Sequence, residues 1–214
     1  MSRAIARGRF ITFEGIEGAG KSTVVRAALA QLQAVGHDVV STREPGGTPL
    51  AERVRGIVLE RDGEPVPTSA ELLLMFAARA LHVTNLIEPA LQRGQWVLCD
   101  RFTDATRAYQ GGGRGVAEDA IEALAQLAHP GLAPDLTLLL DLPPALGLAR
   151  AKGRQDGGDR FEDETLAFFE RVRARYLSLA AAQPARWRVI DASAPLPQVI
   201  EQVQSALASL EPRR

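Results

Sequence analysis

The stretch Gly15-Ile16-Glu17-Gly18-Ala19-Gly20-Lys21-Ser22-Thr23 decides the fold. A glycine, an interval of four residues and then Gly-Lys-Ser is the spacing of a phosphate-binding loop. The glycines let the backbone curl so tightly that successive N–H groups converge on one polyphosphate. Lys21 adds a mobile positive charge for the outer phosphates, and the Ser22 hydroxyl suits a Mg²⁺ ligand. The whole stretch, Gly15 to Thr23, is expected to hold a nucleoside triphosphate. Its flanks agree. Arg9 to Glu14 reads as a short buried strand and Ser22 to Leu32 as a helix. The loop thus feeds a helix N-terminus, where free backbone donors and the helix dipole favour anions.

Outward from the loop, strands and helices alternate. Strands are expected at Asp38–Thr42, Gln95–Asp100, Asp135–Asp141 and Trp187–Asp191. Helices are expected over Thr48–Glu60, from a Ser69 cap towards Arg93, over Val116–His129, from Pro143-Pro144, over about Glu162–Gln183 and over about Leu196–Leu210. Apolar strands separated by helices imply a parallel sheet buried on both faces. The reading is a three-layer α/β/α P-loop NTPase fold with a five-stranded parallel sheet.

With 214 residues, 46% of them hydrophobic, the chain can bury one large core, and a single domain over 1–214 is expected. The net charge of −1 supplies no field drawing the chain to nucleic acid or an anionic membrane. No uninterrupted apolar run approaches the roughly 18 residues of a membrane helix. Arg3, Arg7 and Arg9 are not followed by the apolar segment of a secretory signal. Cys99 is the only cysteine, which excludes an intrachain disulfide and fits a reducing compartment, the cytoplasm.

Chemistry in such a sheet collects at the carboxyl ends of the strands. Two apolar strands end in aspartate, Asp100 and Asp141, and both are candidates to hold Mg²⁺ beside Ser22. Asp100 is followed by Arg101, a carboxylate for metal next to a guanidinium for phosphate, and is preferred. Asp141 precedes Leu142-Pro143-Pro144, a poor phosphate neighbourhood. Phosphoryl transfer also needs cations around the moving group. Arg150, Lys152, Arg154 and Arg160 flank the glycines at 157–158 and read as a closing lid over about 150–162. The run Tyr109-Gln110-Gly111-Gly112-Gly113-Arg114-Gly115 suggests a second site, its glycines allowing close backbone approach.

Taken together, F-E-G-I-E-G-A-G-K-S-T at 13–23, T-R-E-P-G-G-T at 42–48, D-R-F at 100–102 and A-Y-Q-G-G-G-R-G at 108–115 resemble the bacterial thymidylate kinases, from Phe10 to about Ile200. The resemblance implies a nucleoside monophosphate kinase fold, usually a homodimer. It implies transfer of the γ-phosphoryl group of ATP to dTMP with Mg²⁺. It implies that Arg101 holds acceptor and donor phosphates, that Arg55 reaches the dTMP phosphate, and that Glu44 opens the acceptor site. Glu17 matches an acidic position at the deoxyribose 3′-hydroxyl, and Arg79 the arginine that hydrogen-bonds thymine. Tyr109 matches the aromatic that disfavours a 2′-hydroxyl, with Gln110 beside it. Arg150 matches the residue flanking adenine, and Arg154 and Arg160 match lid arginines. On this pattern Lys21, Arg101, Arg154, Arg160 and Glu17 carry the catalysis.

The chain departs from the family pattern in two places. A phenylalanine often stands four residues before the thymine-binding arginine; here Met75 holds that spacing and Phe76 follows, so either side chain covers the base, or Phe76 belongs to the core instead. Ala105-Thr106 replaces a commonly polar pair and leaves the thymine edge to Thr106 or water. A kinase for another nucleoside or nucleotide, and a P-loop switch, are the alternatives. The chain has neither the N-K-x-D guanine motif of a switch nor the Asp-Glu strand end of an ATPase motor. His37, His82 and His129 lack ligand spacing, and Cys99 reads as packing.

Overall fold

The computed structural model describes residues 6–61, 64–152, 160–161 and 163–210. Its centre is a five-stranded, fully parallel sheet in the order β2-β3-β1-β4-β5. The strands are β1 (Phe10–Glu14), β2 (Val39–Arg43), β3 (Trp96–Asp100), β4 (Leu136–Asp141) and β5 (Trp187–Asp191). The register sets Phe13 beside Asp100 on one side and Leu138 on the other. The phosphate-binding stretch therefore leaves the middle of the sheet, with β3 and β4, which end in Asp100 and Asp141, as its neighbours.

Alternation along β1 sorts the core. Ile11 and Phe13 join Leu98, Leu138 and Leu140 under α1 (Lys21–Ala34) and, at the far end of the chain, α9 (Leu196–Ala208). Phe10, Val97 and Cys99 face the opposite layer. Between α1 and α9 the helices are α2 (Pro49–Leu59), α3 (Thr68–His82), α4 (Glu88–Gln92), α5 (Thr103–Thr106), α6 (Glu118–Ala128), α7 (Pro144–Lys152) and α8 (Leu166–Ala182). The central strands are buried throughout or nearly so, while the edge strands β2 and β5 keep residues in solvent. The expected three layers are present.

Local departures have local causes. Ser69 does not cap α3, which begins a residue earlier after Pro67. The helix expected from Glu162 starts at Leu166, where the Thr165 hydroxyl accepts from the Phe168 N–H at 3.2 Å. From Thr68 to Gln92 the chain is one continuous helix through a π turn at Val83–Ile87. By length and composition alone this segment resembles a membrane-spanning helix (mean hydropathy 1.3), although Glu71, Arg79 and Glu88 interrupt its apolar run. Here it packs Leu72, Phe76, Ile87 and Leu91 into the core and buries Glu71, Arg79 and His82.

The glycine run lies in a π-helical turn over Arg107–Gly113. A Cβ at Gly113 would sit 2.4 Å from the Phe168 ring, and one at Gly112 would sit 2.6 Å from Arg175 Cβ. These two glycines admit α8, while Tyr109 and Gln110 of the same run line a pocket.

Candidate active site

The loop geometry follows from its glycines. Gly15 adopts φ 138° with its Cα against the Leu140 carbonyl, where a side chain would meet the oxygen at 2.6 Å. Gly18 (φ 73°) lies against Gly147 of α7, where a Cβ would come to 2.1 Å. Only glycine fits both places, so the loop is pinned between β4 and α7. Gly20, left-handed, leads into α1, and Lys21, Ser22 and Thr23 form the first turn.

Lys21 folds back on the loop, its Nζ donating to the carbonyls of Gly15 and Ile16 at 3.0 Å each. Burial, helped by the nearby Arg101 charge, lowers its pKa to about 8 against the pull of Asp100, Glu17 and Glu14. At the end of β1, Glu14 is fully enclosed, and burial with the neighbouring Asp104 raises its pKa to about 8. Its carboxyl accepts from the Phe102 N–H at 2.8 Å and the Tyr176 hydroxyl at 2.7 Å.

After β3 the chain turns through Arg101, which holds the unusual φ of 72° for a side-chain-bearing residue. That turn aims its guanidinium across the loop. Its Nη2 donates to Glu17 Oε1 at 2.7 Å and to the Tyr109 hydroxyl at 3.0 Å, and the Tyr109 hydroxyl donates to Glu17 Oε2 at 2.7 Å. The guanidinium also lies 4.7 Å from the Tyr109 ring centre. Glu17, Arg101 and Tyr109 form one polar triangle.

Two cavities meet at this triangle. The first is a groove over the loop, lined by Gly18, Gly20, Lys21, Ser22, Thr23, Asp100 and Arg150 among others. The second is a pocket lined by Pro45, Leu59, Met75, Arg79, Phe102, Ala105, Thr106, Gln110 and Phe161. Both are lined by Glu17, Glu44, Arg55 and Arg101.

Asp100 Oδ1 is buried and has no hydrogen-bond partner among the described residues, whereas Asp141 is engaged by Arg173 through two bonds of 2.7 and 2.8 Å. Helix α8 thus supplies Asp141 with its own cation. Ser22 and Asp100 line the same groove. No group of three His, Cys, Asp or Glu gathers among the described residues. An ion at Asp100 would complete its shell with water and phosphate, as Mg²⁺ characteristically does. The donor set fits.

In the second pocket Arg79 is held at the back. Its Nε donates to Glu44 Oε2 at 2.7 Å and its Nη2 to the Thr106 hydroxyl at 3.1 Å, while its buried Nη1 has no hydrogen-bond partner among the described residues. Burial pushes the Glu44 carboxyl up, but Arg79 and His82 outweigh it, and its pKa is lowered. Arg55 lies at the mouth, donating to the Pro45 carbonyl at 2.9 Å. The Met75–Phe76 ambiguity is resolved by helix phase. Met75 lines the pocket, and Phe76 is buried with Leu72, Ile121 and Ala125, its ring under the Arg79 guanidinium at 4.7 Å. Phe76 is not a wall of the pocket. Phe102 is, and it also lies 5.3 Å from that guanidinium.

The remaining candidates take varied places. Arg150 lines the groove and donates to the Ala192 carbonyl at 3.0 Å. Arg154 lies outside the described residues. Arg160 does not line the groove: its Nε donates to the Val58 carbonyl and its Nη2 lies 2.6 Å from Glu71 Oε2. His82, read as incidental, bridges Thr42 and Glu44 at 2.7 and 3.1 Å. His129 bonds Thr103 at 2.7 Å, and His37 stacks on Trp96. Cys99 is fully buried, its thiol donating to the Arg101 carbonyl, and burial raises its pKa well above the usual range. Phe102, Phe161, Glu71 and His82 escaped sequence reasoning because nothing local marks a residue as a pocket wall or a buried partner.

Comparison with known proteins agrees with this geometry. The thymidylate kinase family model matches residues 13–203. The thymidylate kinase of Alkalilimnicola ehrlichii is 54% identical over 205 residues, covering 96% of this chain and 94% of that protein. The thymidylate kinase of Pseudomonas syringae pv. syringae is 55% identical over 206 residues, with 96% of each chain covered. The crystal structure of thymidylate kinase from Ehrlichia chaffeensis superposes with a TM-score of 0.76 at 32% identity, covering 94% of this chain and 99% of that one. A phosphate loop facing a second pocket across Arg101, in a chain matched along nearly its whole length, places this protein in the thymidylate kinase family.

Proposed function

We infer that the chain transfers the γ-phosphoryl group of ATP to dTMP, giving dTDP and ADP. Family membership supports the substrate pair, and one observation carries the chemistry: donor groove and acceptor pocket share Glu17, Glu44, Arg55 and Arg101. In this reading ATP lays its phosphates along Gly15 to Thr23, and Arg150 flanks its base. The dTMP phosphate enters under Arg55 and Arg101. An oxygen of that phosphate attacks the γ-phosphorus while the bond to the ADP oxygen breaks, and Arg101, fixed between both groups, meets the charge on the moving phosphoryl group. Lys21 leaves the Gly15 and Ile16 carbonyls for the phosphates. Mg²⁺, held by Ser22 and Asp100, supplies further neutralisation of the phosphate charge when bound.

Acceptor choice falls to the second pocket. The open Nη1 of Arg79 is a donor for a thymine carbonyl, Thr106 and Gln110 stand beside it, and Met75 and Phe102 give apolar cover. Glu17 and Tyr109 both line this pocket, which supports the reading of Glu17 at the 3′-hydroxyl and of the Tyr109 ring against a 2′-hydroxyl. A panel of nucleoside monophosphates, assayed for ADP formation with ATP and Mg²⁺, tests this. The highest kcat/KM is expected for dTMP, and a higher value for CMP or GMP would overturn the assignment.

The proposal includes one kinase domain, a cytoplasmic location and a homodimer. Exposed Leu50 and Ile57 on α2, Leu73 on α3 and Leu127 on α6 support the dimer, because α3 packs against both α2 and α6. Sedimentation showing only monomer at micromolar concentration would remove it.

The lowered pKa of Lys21 has a measurable consequence. Near pH 8 about half the empty enzyme carries a neutral Lys21, and a bound polyphosphate favours the charged form. Nucleotide binding at pH 8 is expected to take up about half a proton, falling towards zero near pH 6.5 where Lys21 is already charged. Calorimetry in buffers of different ionisation enthalpy reads this. Lys21→Met should cut the uptake to the share taken by buried Glu14, whose pKa also lies near 8, and equal heats in all buffers at pH 8 would contradict the mechanism.

A further inference from the structure

Glu71 has no place in the chemistry above, yet it is 1% exposed and among the most heavily engaged carboxylates in the molecule. It sits in the first turn of α3. Its Oε1 accepts from Gln110 Nε2 at 2.7 Å and from Arg114 Nε at 2.8 Å, and its Oε2 lies 2.6 Å from Arg160 Nη2. Arg114 also pairs with Glu164 at 2.9 Å. A buried carboxylate set between two guanidiniums is costly to disturb, since losing it leaves two cations facing each other in a low-dielectric site.

What these partners touch gives the arrangement meaning. Gln110 lines the acceptor pocket directly. Phe161 lines it too, and the Arg160 and Arg114 guanidiniums lie 4.6 and 5.5 Å from its ring. One carboxylate thus fixes two walls of the pocket that come from distant stretches of chain, Gln110 by a direct bond and Phe161 through the two arginines that stack on it. The Arg160 Nε bond to the Val58 carbonyl ties the same wall to α2.

We propose that Glu71 is a positioning residue for the phosphoryl acceptor: it touches no substrate and sets the shape of the acceptor pocket by holding Gln110 and, through Arg114 and Arg160, Phe161. The inference rests on reading that pocket as the dTMP site. It also gives Arg160 a different part from a cation at the moving phosphate. Misplacing a binding wall by a fraction of an ångström weakens acceptor binding and leaves the donor groove, which none of these residues lines, nearly untouched.

Steady-state kinetics on Glu71→Gln, with folding checked by thermal melting, tests this. The KM for dTMP is expected to rise about tenfold, with the KM for ATP within about twofold and kcat within about threefold of wild type. A folded variant with unchanged KM for dTMP, or with both KM values rising together, would overturn the role. Should Glu71→Gln not fold, Arg160→Met decides: a KM for dTMP raised several-fold with kcat kept supports the proposal. A kcat lowered about a hundredfold at constant KM overturns it and returns Arg160 to the phosphoryl group. The wild-type arm separates the two layers of inference. ADP formation that does not depend on dTMP overturns the reading of the pocket, and this proposal with it.

Discussion

Replacing Arg101 by Met is expected to lower kcat by about 10³-fold, with a much smaller change in the KM for ATP. Arg101 lines both cavities while held by partners on two other elements, Glu17 in the loop and Tyr109 in the π turn. The loop itself brings no arginine, and its variable positions include the anionic Glu17. In the proposed reaction Arg101 meets charge on the transferred group together with Lys21 and Mg²⁺, and Glu17 and Tyr109 already hold it in place. The substitution also leaves Glu17 without its ion pair, so melting temperatures must accompany the kinetics. Arg101→Lys is expected to recover only part of the loss, because an ammonium cannot reproduce the planar fork that meets Glu17, Tyr109 and phosphate together. Near wild-type kcat in a folded Arg101→Met would remove Arg101 from the transfer step.

The second large effect is expected at the end of β3. Asp100→Asn should lower turnover by about 10²-fold or more and raise the Mg²⁺ concentration needed for half-maximal rate. Direct titration with Mn²⁺, followed by its electron paramagnetic resonance signal in the presence of ADP, should show the same weakening without relying on activity. Asp141→Asn should be mild in both measurements, its cost confined to the ion pair with Arg173 on a partly exposed surface. The structural basis is the contrast between a buried Oδ1 with no described partner and a carboxylate already gripped at both oxygens. The reverse ranking, in folded proteins, would move the metal to Asp141.

Residues that act through backbone geometry or local spacing are legible in the amino-acid order alone. The glycine spacing at 15–20 dictates the loop, the apolar runs dictate the strands, and Asp100-Arg101 at a strand end marks the crevice. Arg79 and Tyr109 are reachable through the family resemblance, since their neighbours in sequence form recognisable motifs. Met75 and Phe76 show where such reading stops. Adjacent residues on a helix point about 100° apart, so the choice of which enters the pocket belongs to the phase of α3 against α2 and α6. The glycines at 112–113 show it again: a run of small residues signals close approach, but only packing reveals that the approaching body is α8.

The sequence by itself determined the layer order of sheet and helices, the phosphate loop and the strand-end carboxylate–arginine pair. Each of these depends on residues within one short stretch, where steric and hydrophobic periodicity act locally. The tertiary structure alone decided which aspartate is left without a described partner, which aromatic rings wall the second pocket, and that Glu71, Arg114, Gln110 and Arg160 share one buried carboxylate. Those outcomes depend on charges and rings brought together from positions up to 89 residues apart in the chain, Glu71 to Arg160. Their energies arise from desolvation and close packing, which exist only once the helices have met.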